Sequence, residues 1–167
     1  ESPGYRDDEI YTAQVYTTAL GGGMSSRLFQ ELRERRGLCY TIFAQTGAYA
    51  DTGMTTIYAG TSGEEIGELA GITADELKRA ATDMTEAEVA RARAQLKAGL
   101  LIGLESPSAR AERLARMVSI WDRVPPLEET IARVEAVTTD RVRAFAEQTA
   151  TSPAAMAVYG PAGPAPH

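Results

Sequence analysis

The sequence predicts an α+β domain: a mostly antiparallel sheet with its helices packed on one face, in two layers. Three observations carry that reading. Residues 39–50 and 54–61 form two runs rich in Thr, Tyr, Ile and Phe, and Asp51-Thr52-Gly53 between them suits a tight hairpin. The segments on both sides repeat apolar residues at spacings of three and four, the helical period. The chain has 167 residues, 44% hydrophobic and 24% charged, which is enough to bury a core within one domain. Helices segregated to one face of an antiparallel sheet are the packing that this element order favours.

The elements follow in order. Residues 7–20 read as a helix with its acids in the first turn and Ile10, Ala13, Thr17 and Leu20 along one stripe. Gly21-Gly22-Gly23 ends it. Ser25 or Ser26 is placed to cap a second helix, which carries Leu28, Phe29 and Leu32 and stops at Gly37. The hairpin comes next. A helix over residues 63–83 follows, weakened at Gly67 and Gly71. Thr85-Glu86-Ala87-Glu88 is a capping box that opens another, with Val89, Leu96, Leu100 and Leu104 on one side. Ser106-Pro107 starts a helix with Leu114, Val118 and Trp121 at helical spacing. Pro125-Pro126 precedes a short helix with Leu127, Ile131 and Val134, and Thr138 caps one with Val142, Phe145 and Thr149. Residues 153–159 read as a final strand.

Three strands make a thin sheet for this much helix. Glu1 to Tyr5 reads as the exit from a strand upstream of residue 1. Residues 1–160 are therefore expected to form one domain whose first strand lies upstream, and residues 161–167 a Pro/Gly-rich tail.

Composition excludes several function classes. A formal net charge of -6 offers no general attraction for nucleic acid. No apolar stretch approaches the roughly 20 residues of a membrane helix, and Glu1-Ser2-Pro3-Gly4 is no signal peptide. One Cys forms no disulfide within the chain. The single His is His167, at the end of the tail, so no His-based zinc site is expected.

Several local signals have plain structural readings. The triple glycine before Met24-Ser25-Ser26 lacks a P-loop lysine and follows a helix, so it reads as a tight turn rather than a phosphate loop. Asp51-Thr52-Gly53 occurs once and is turn chemistry. Cys39 without a His partner reads as a buried, inert thiol, and the Met residues as core. Of the 15 Arg residues, Arg35 and Arg36 suit a solvated helix end, where cations complement the dipole.

The block GGGMSSRLFQELRERRGLCY (21–40), with AYADTGMTTIYAGTS (48–62) and EVARARAQLKAGLL (88–101), resembles the C-terminal half of the pitrilysin family. The likeness is to its processing-peptidase branch, inverzincin metallopeptidases similar to mitochondrial processing peptidase and insulin-degrading enzyme. It runs from about Tyr5 to Tyr159. The resemblance implies a clamshell-domain fold of the LuxS/metallohydrolase-like type, in which two similar α+β domains pair. The first domain would hold zinc through H-x-x-E-H and a distant Glu. The second, which this chain resembles, would supply an Arg and a Tyr seven residues apart; here these are Arg33 and Tyr40.

The implied roles are specific. Tyr40 would donate its hydroxyl to the oxyanion that forms during peptide hydrolysis. Arg33 would grip a substrate carbonyl or carboxylate, and both residues would bind substrate. The attacking water and its base would belong to the other half. Partners implied are an N-terminal zinc-binding domain or catalytic subunit, a peptide substrate, and a homo- or heterodimeric assembly in a bacterial-type cytoplasm or periplasm. No H-x-x-E-H motif is present, so this chain alone is expected to be inactive and to hold no metal. Two other readings stand beside this one: a catalytically inactive scaffold of the same fold, and an unrelated α+β interaction module. On residue chemistry alone, Arg33 could instead pair with Glu34 or another nearby acid, and Tyr40 could simply pack on the sheet.

Overall fold

The computed structural model describes residues 1–160, so the tail lies outside the described residues. Helix α1, Ile10–Gly21, is buried on nearly every side, with Ala13, Val15, Tyr16 and Leu20 in the core. One side of it packs on strand β1, Thr41–Ala48, which pairs antiparallel with β2, Gly53–Gly60. The other side meets α3, Glu86–Gly103, and α6, Thr139–Thr151. Helix α2, Ile66–Asp83, packs on α6, and α5, Leu127–Glu135, touches α1 and α3. Helix α4, Pro107–Trp121, contributes no buried residue. The helices thus lie on one face of the sheet, as the sequence predicts. The opposite face is open and presents Phe43, Met54 and Tyr58.

The hairpin register runs from Thr41↔Gly60 to Ala48↔Gly53. Tyr49 donates its N–H to the Thr52 carbonyl at 2.7 Å, closing the turn at Ala50-Asp51. Ile42 and Ala44 point to the core while Phe43 and Gln45 point outward, the alternation of a half-buried strand. The triple glycine is a packing feature as well as a turn. A Cβ on Gly21 would lie 2.5 Å from the backbone nitrogen of Ala44, so only glycine lets the end of α1 cross β1 this closely. A hydroxyl pair, Thr17 and Thr46 at 3.2 Å, links the same two elements.

Three helix starts follow their caps. Thr85 and Glu88 form the reciprocal capping box, Ser106 accepts from Ala109 N–H with Pro107 at the first position, and Thr138 accepts from Arg141 N–H. Other expectations need correction. Helix α1 begins at Ile10, not residue 7, because Asp7 is spent on a turn in which its carboxylate accepts the Glu9 N–H at 2.8 Å. Helix α2 starts at Ile66 rather than residue 63. The Ser26 hydroxyl does not cap a helix; it turns back to donate to the Gly23 carbonyl at 2.6 Å. The helix that follows is wound as a π-helix over Phe29–Arg35.

Residues 153–159 do not form a strand. They are exposed and have no ladder partner among the described residues, so their β-favouring side chains gain nothing from pairing. The described sheet therefore has two strands, not three, with one further antiparallel bridge between Ser2 and Gly53, where Ser2 N–H donates to the Gly53 carbonyl at 2.9 Å.

Candidate functional site

The end of the hairpin where β1 begins and β2 finishes is built by the π-helix and the turn after it. Gly37 takes φ 65°, a left-handed conformation that glycine reaches at no steric cost. Its N–H donates to the Arg33 carbonyl at 3.1 Å, and Leu38 N–H reaches the Leu32 carbonyl at 2.8 Å. These bonds satisfy the last helical carbonyls and fold the chain back so that Leu38 and Cys39 bury. Thr61 then donates its hydroxyl to the Leu38 carbonyl at 2.5 Å, tying the turn to the exit of β2.

Tyr40 emerges from this turn. Its N–H donates to the Gly60 carbonyl at 3.1 Å, while its side chain is 72% exposed. The ring lies across the end of β2. A Cβ on Gly60 would sit 2.7 Å from Tyr40 Cζ and 2.8 Å from its hydroxyl oxygen. Gly60 is thus the residue that gives the Tyr40 ring its place, and the sequence reading missed it. A glycine inside a strand pattern is a recognised mark of close approach, which was the signal available.

Arg33 leaves the exposed side of the π-helix. Its guanidinium carbon is 4.7 Å from the centroid of the Phe29 ring, a cation–π distance. No carboxylate pairs with it among the described residues, so Glu34 is not its partner. Arg35 and Arg36, in contrast, both bind Glu31, at 2.9 and 2.8 Å, and hold its carboxyl below the usual range. The three arginines of one short run therefore divide: two neutralise an acid, and one is paired with no carboxylate among the described residues.

Cys39 lies between the two candidates in sequence and is buried. Burial pushes its thiol up, with Arg33 nearby acting in the opposite direction, so it is an inert core residue rather than a nucleophile. Arg33 and Tyr40 stand on either side of the same turn, and no hydrogen bond joins them. Along the open face, Phe43 stacks on Tyr58, centroids 5.2 Å apart and planes 24° from parallel.

A second feature absent from the sequence reading holds the π-helix in place. Arg27, just ahead of it, pairs with Asp83 at the end of α2 and makes a two-pronged contact with Glu88 in α3, at 2.6 and 2.9 Å. Burial alone would raise the Glu88 carboxyl. The bonds from Arg27 and from the Thr85 N–H and hydroxyl outweigh it and lower the carboxyl to about 2. The capping box thus also serves as an anchor.

The described residues contain no group of three or more His, Cys, Asp and Glu side chains that could hold a metal, and His167 lies outside them. The donor set of the described residues does not fit zinc. No helix among the described residues is long and apolar enough to cross a membrane.

The profile described as the peptidase M16 inactive domain matches residues 1–96, more than half of the chain. This chain belongs to the peptidase M16 family, in its inactive-domain form. An uncharacterized zinc protease of Mycobacterium bovis is 39% identical over 163 residues, which cover 97% of this chain and 37% of that protein. The M16 domain therefore spans little more than a third of the length of such relatives. Among solved structures, the peptidase M16 inactive domain from Pseudomonas fluorescens superposes with a TM-score of 0.77 at 22% identity, over 88% of this chain and 35% of that one. A chain of complex III2 from Candida albicans, with Inz-5 bound, gives 0.79 at 22% identity, over 88% and 37%. These likenesses establish the α+β fold of an M16 domain. Family membership also sets aside the reading of an unrelated interaction module.

Proposed function

We propose that this M16 domain is the substrate-binding half of a zinc-dependent metalloendopeptidase, working beside a zinc-bearing domain or subunit that it does not itself contain. One observation carries the reading: Arg33 and Tyr40 flank one turn with their polar ends unspent, although neighbouring arginines of the same run are neutralised. A charged group that stays unpaired beside an exposed phenol, at the rim of an open sheet face, suits a peptide better than it suits the core.

The chemistry assigned to this chain is limited. Arg33 binds a substrate carbonyl or carboxylate, its guanidinium steadied over the Phe29 ring. Tyr40 donates its hydroxyl to the negative charge that builds on the scissile carbonyl oxygen. Neither group abstracts a proton or attacks the peptide. That relatives such as the Mycobacterium bovis protein are named zinc proteases supports zinc in the complete enzyme, held outside these residues. The Ser2–Gly53 bridge supports the reading that an upstream strand runs beside β2. A homo- or heterodimeric clamshell, with extended peptides as substrates, completes the proposal.

The test uses the intact protein and a quenched-fluorescence peptide. The Arg33→Ala/Tyr40→Phe double variant should lose turnover while keeping its zinc content and melting temperature. Equal turnover in wild type and double variant would overturn the substrate-binding role. An intact protein that binds no zinc and cleaves nothing would instead support the inactive scaffold of the same fold.

A further inference from the structure

A cleft of about 170 Å3 opens between α1, α3, α4 and α5, on the side of α1 away from the sheet. Its walls are mainly apolar, formed by Tyr11, Leu96, Leu100, Met117, Trp121 and Val134. Two cations, Arg113 and Arg116 of α4, also line it, and no lining residue is acidic. Arg113 is partly buried, and one of its terminal nitrogens, Nη2, is shielded from solvent without a hydrogen-bond partner. No carboxylate elsewhere among the described residues pairs with Arg113. Of the buried side-chain polar groups left unsatisfied among the described residues, it is the one that carries a charge; the others are the Thr12 and Tyr16 hydroxyls, inside the core.

A guanidinium N–H held away from water without an acceptor costs free energy, and an anion arriving there recovers it. The fork geometry selects a carboxylate, which accepts two parallel N–H bonds. The walls select what that carboxylate is attached to. A cavity of about 150 Å3 lined by aliphatic and aromatic groups takes a benzene ring, so this cleft has room for one aryl or branched alkyl group. We propose that the cleft binds an apolar monocarboxylate, with Arg113 receiving the carboxylate and the α1, α3 and α4 side chains enclosing the apolar part. This chemistry is offered both by a free apolar acid and by the C-terminal residue of a peptide. The site is separate from Arg33 and Tyr40, and its existence does not depend on their role.

Calorimetric titration of the intact protein with 3-phenylpropionate should show saturable binding. The same probe as its neutral amide should bind about ten-fold or more weakly, since a charge-assisted pair is lost. Arg113→Met, which keeps the apolar stem, should weaken the acid by a similar factor. Its melting temperature should be no lower than wild type, because removing an unpaired, partly desolvated charge relieves a cost. Leu100→Trp, which fills the cleft and leaves Arg113 in place, should also abolish binding. An N-acetylated dipeptide ending in free Phe, run beside its C-terminal amide, separates the two sources: tighter binding than 3-phenylpropionate assigns a peptide C-terminus, weaker binding a free acid. No saturable heat at millimolar acid, equal binding of acid and amide, or a marked fall in melting temperature for Arg113→Met would each overturn the proposal.

Discussion

The Tyr40 ring occupies the space in which a side chain at Gly60 would stand: a Cβ there would lie 2.7 Å from Tyr40 Cζ. The Gly60 backbone is not left-handed, so a larger residue is conformationally allowed at that position. The exposed ring is the part that would yield. Gly60→Ala should therefore cost little stability and yet displace Tyr40. Its expected effect is a fall in kcat resembling loss of the Tyr40 hydroxyl, together with a shift of the Tyr40 ring resonances by NMR. Combined with Tyr40→Phe, it should add almost nothing, because both changes act on one group. Additive losses would show that Gly60 acts elsewhere.

Tyr40→Phe removes one hydroxyl and keeps the ring on Gly60. In the intact enzyme kcat should drop by about 10²–10³, as loss of one oxyanion donor typically does. The melting temperature should hold. Unchanged kinetics would exclude the oxyanion role, while a large drop in melting temperature would make Tyr40 a packing residue.

Arg33→Ala should behave differently. A clamp is felt in the bound ground state as well as in the transition state, so KM should rise and kcat fall together. Zinc content of the intact protein should not change. Arg35→Ala, by contrast, leaves Glu31 paired with Arg36 at 2.8 Å and should leave both constants close to wild type.

Acid should loosen the Arg27 brace. Glu88 titrates at about 2 when folded, against an ordinary value of 4.5. A depressed carboxyl contributes stability that is fully present above the ordinary value and is lost as pH falls through the folded one. The expected window therefore runs from 4.5 down to about 2. Glu88→Gln should flatten that part of a melting-temperature profile, though not erase it, because Glu31 is also held low by Arg36. Glu76 works the other way: burial raises its carboxyl even with Arg79 at 2.6 Å. Arg27→Met should destabilise by about 1–3 kcal/mol, less than for a fully buried pair because Asp83 remains partly solvated. An unaltered acid profile in Glu88→Gln would place the acid sensitivity elsewhere.

Zinc titrated into the 167-residue chain should find no tight site. Sub-micromolar stoichiometric binding would mean that ligands outside residues 1–160 complete a centre.

Much of the fold was legible because its signals are local. The Thr85–Glu88 capping box, Ser106-Pro107 and Thr138 each mark a helix start through a side chain that meets a backbone N–H within one turn. Asp51-Thr52-Gly53 marked the hairpin to within a residue: the turn centres on Ala50-Asp51 and Gly53 already opens β2. Residues 153–159 misled because β propensity states what a segment can do when a partner strand exists, and none is in reach among the described residues. The π-helix was hidden because α and π windings share the buried set Leu28, Phe29 and Leu32. Arg33 and Tyr40 were nominated by a family resemblance in which an Arg and a Tyr stand seven residues apart. Gly60 and Arg27 were not, since their importance comes from residues 20 and 56 or more positions away, Tyr40 in one case, Asp83 and Glu88 in the other.

Helix α4 places no residue in the core, whereas α1 is enclosed on nearly every side. Those two environments set very different clocks for amide hydrogen exchange. In deuterated solvent the α4 amides should exchange through a local opening that leaves the rest of the fold closed. The amides of α1 wait for global unfolding. Each α4 opening also frees the Arg113 guanidinium to meet water, so a carboxylate bound there would slow α4 exchange selectively and leave the α1 rates unchanged at equal global stability.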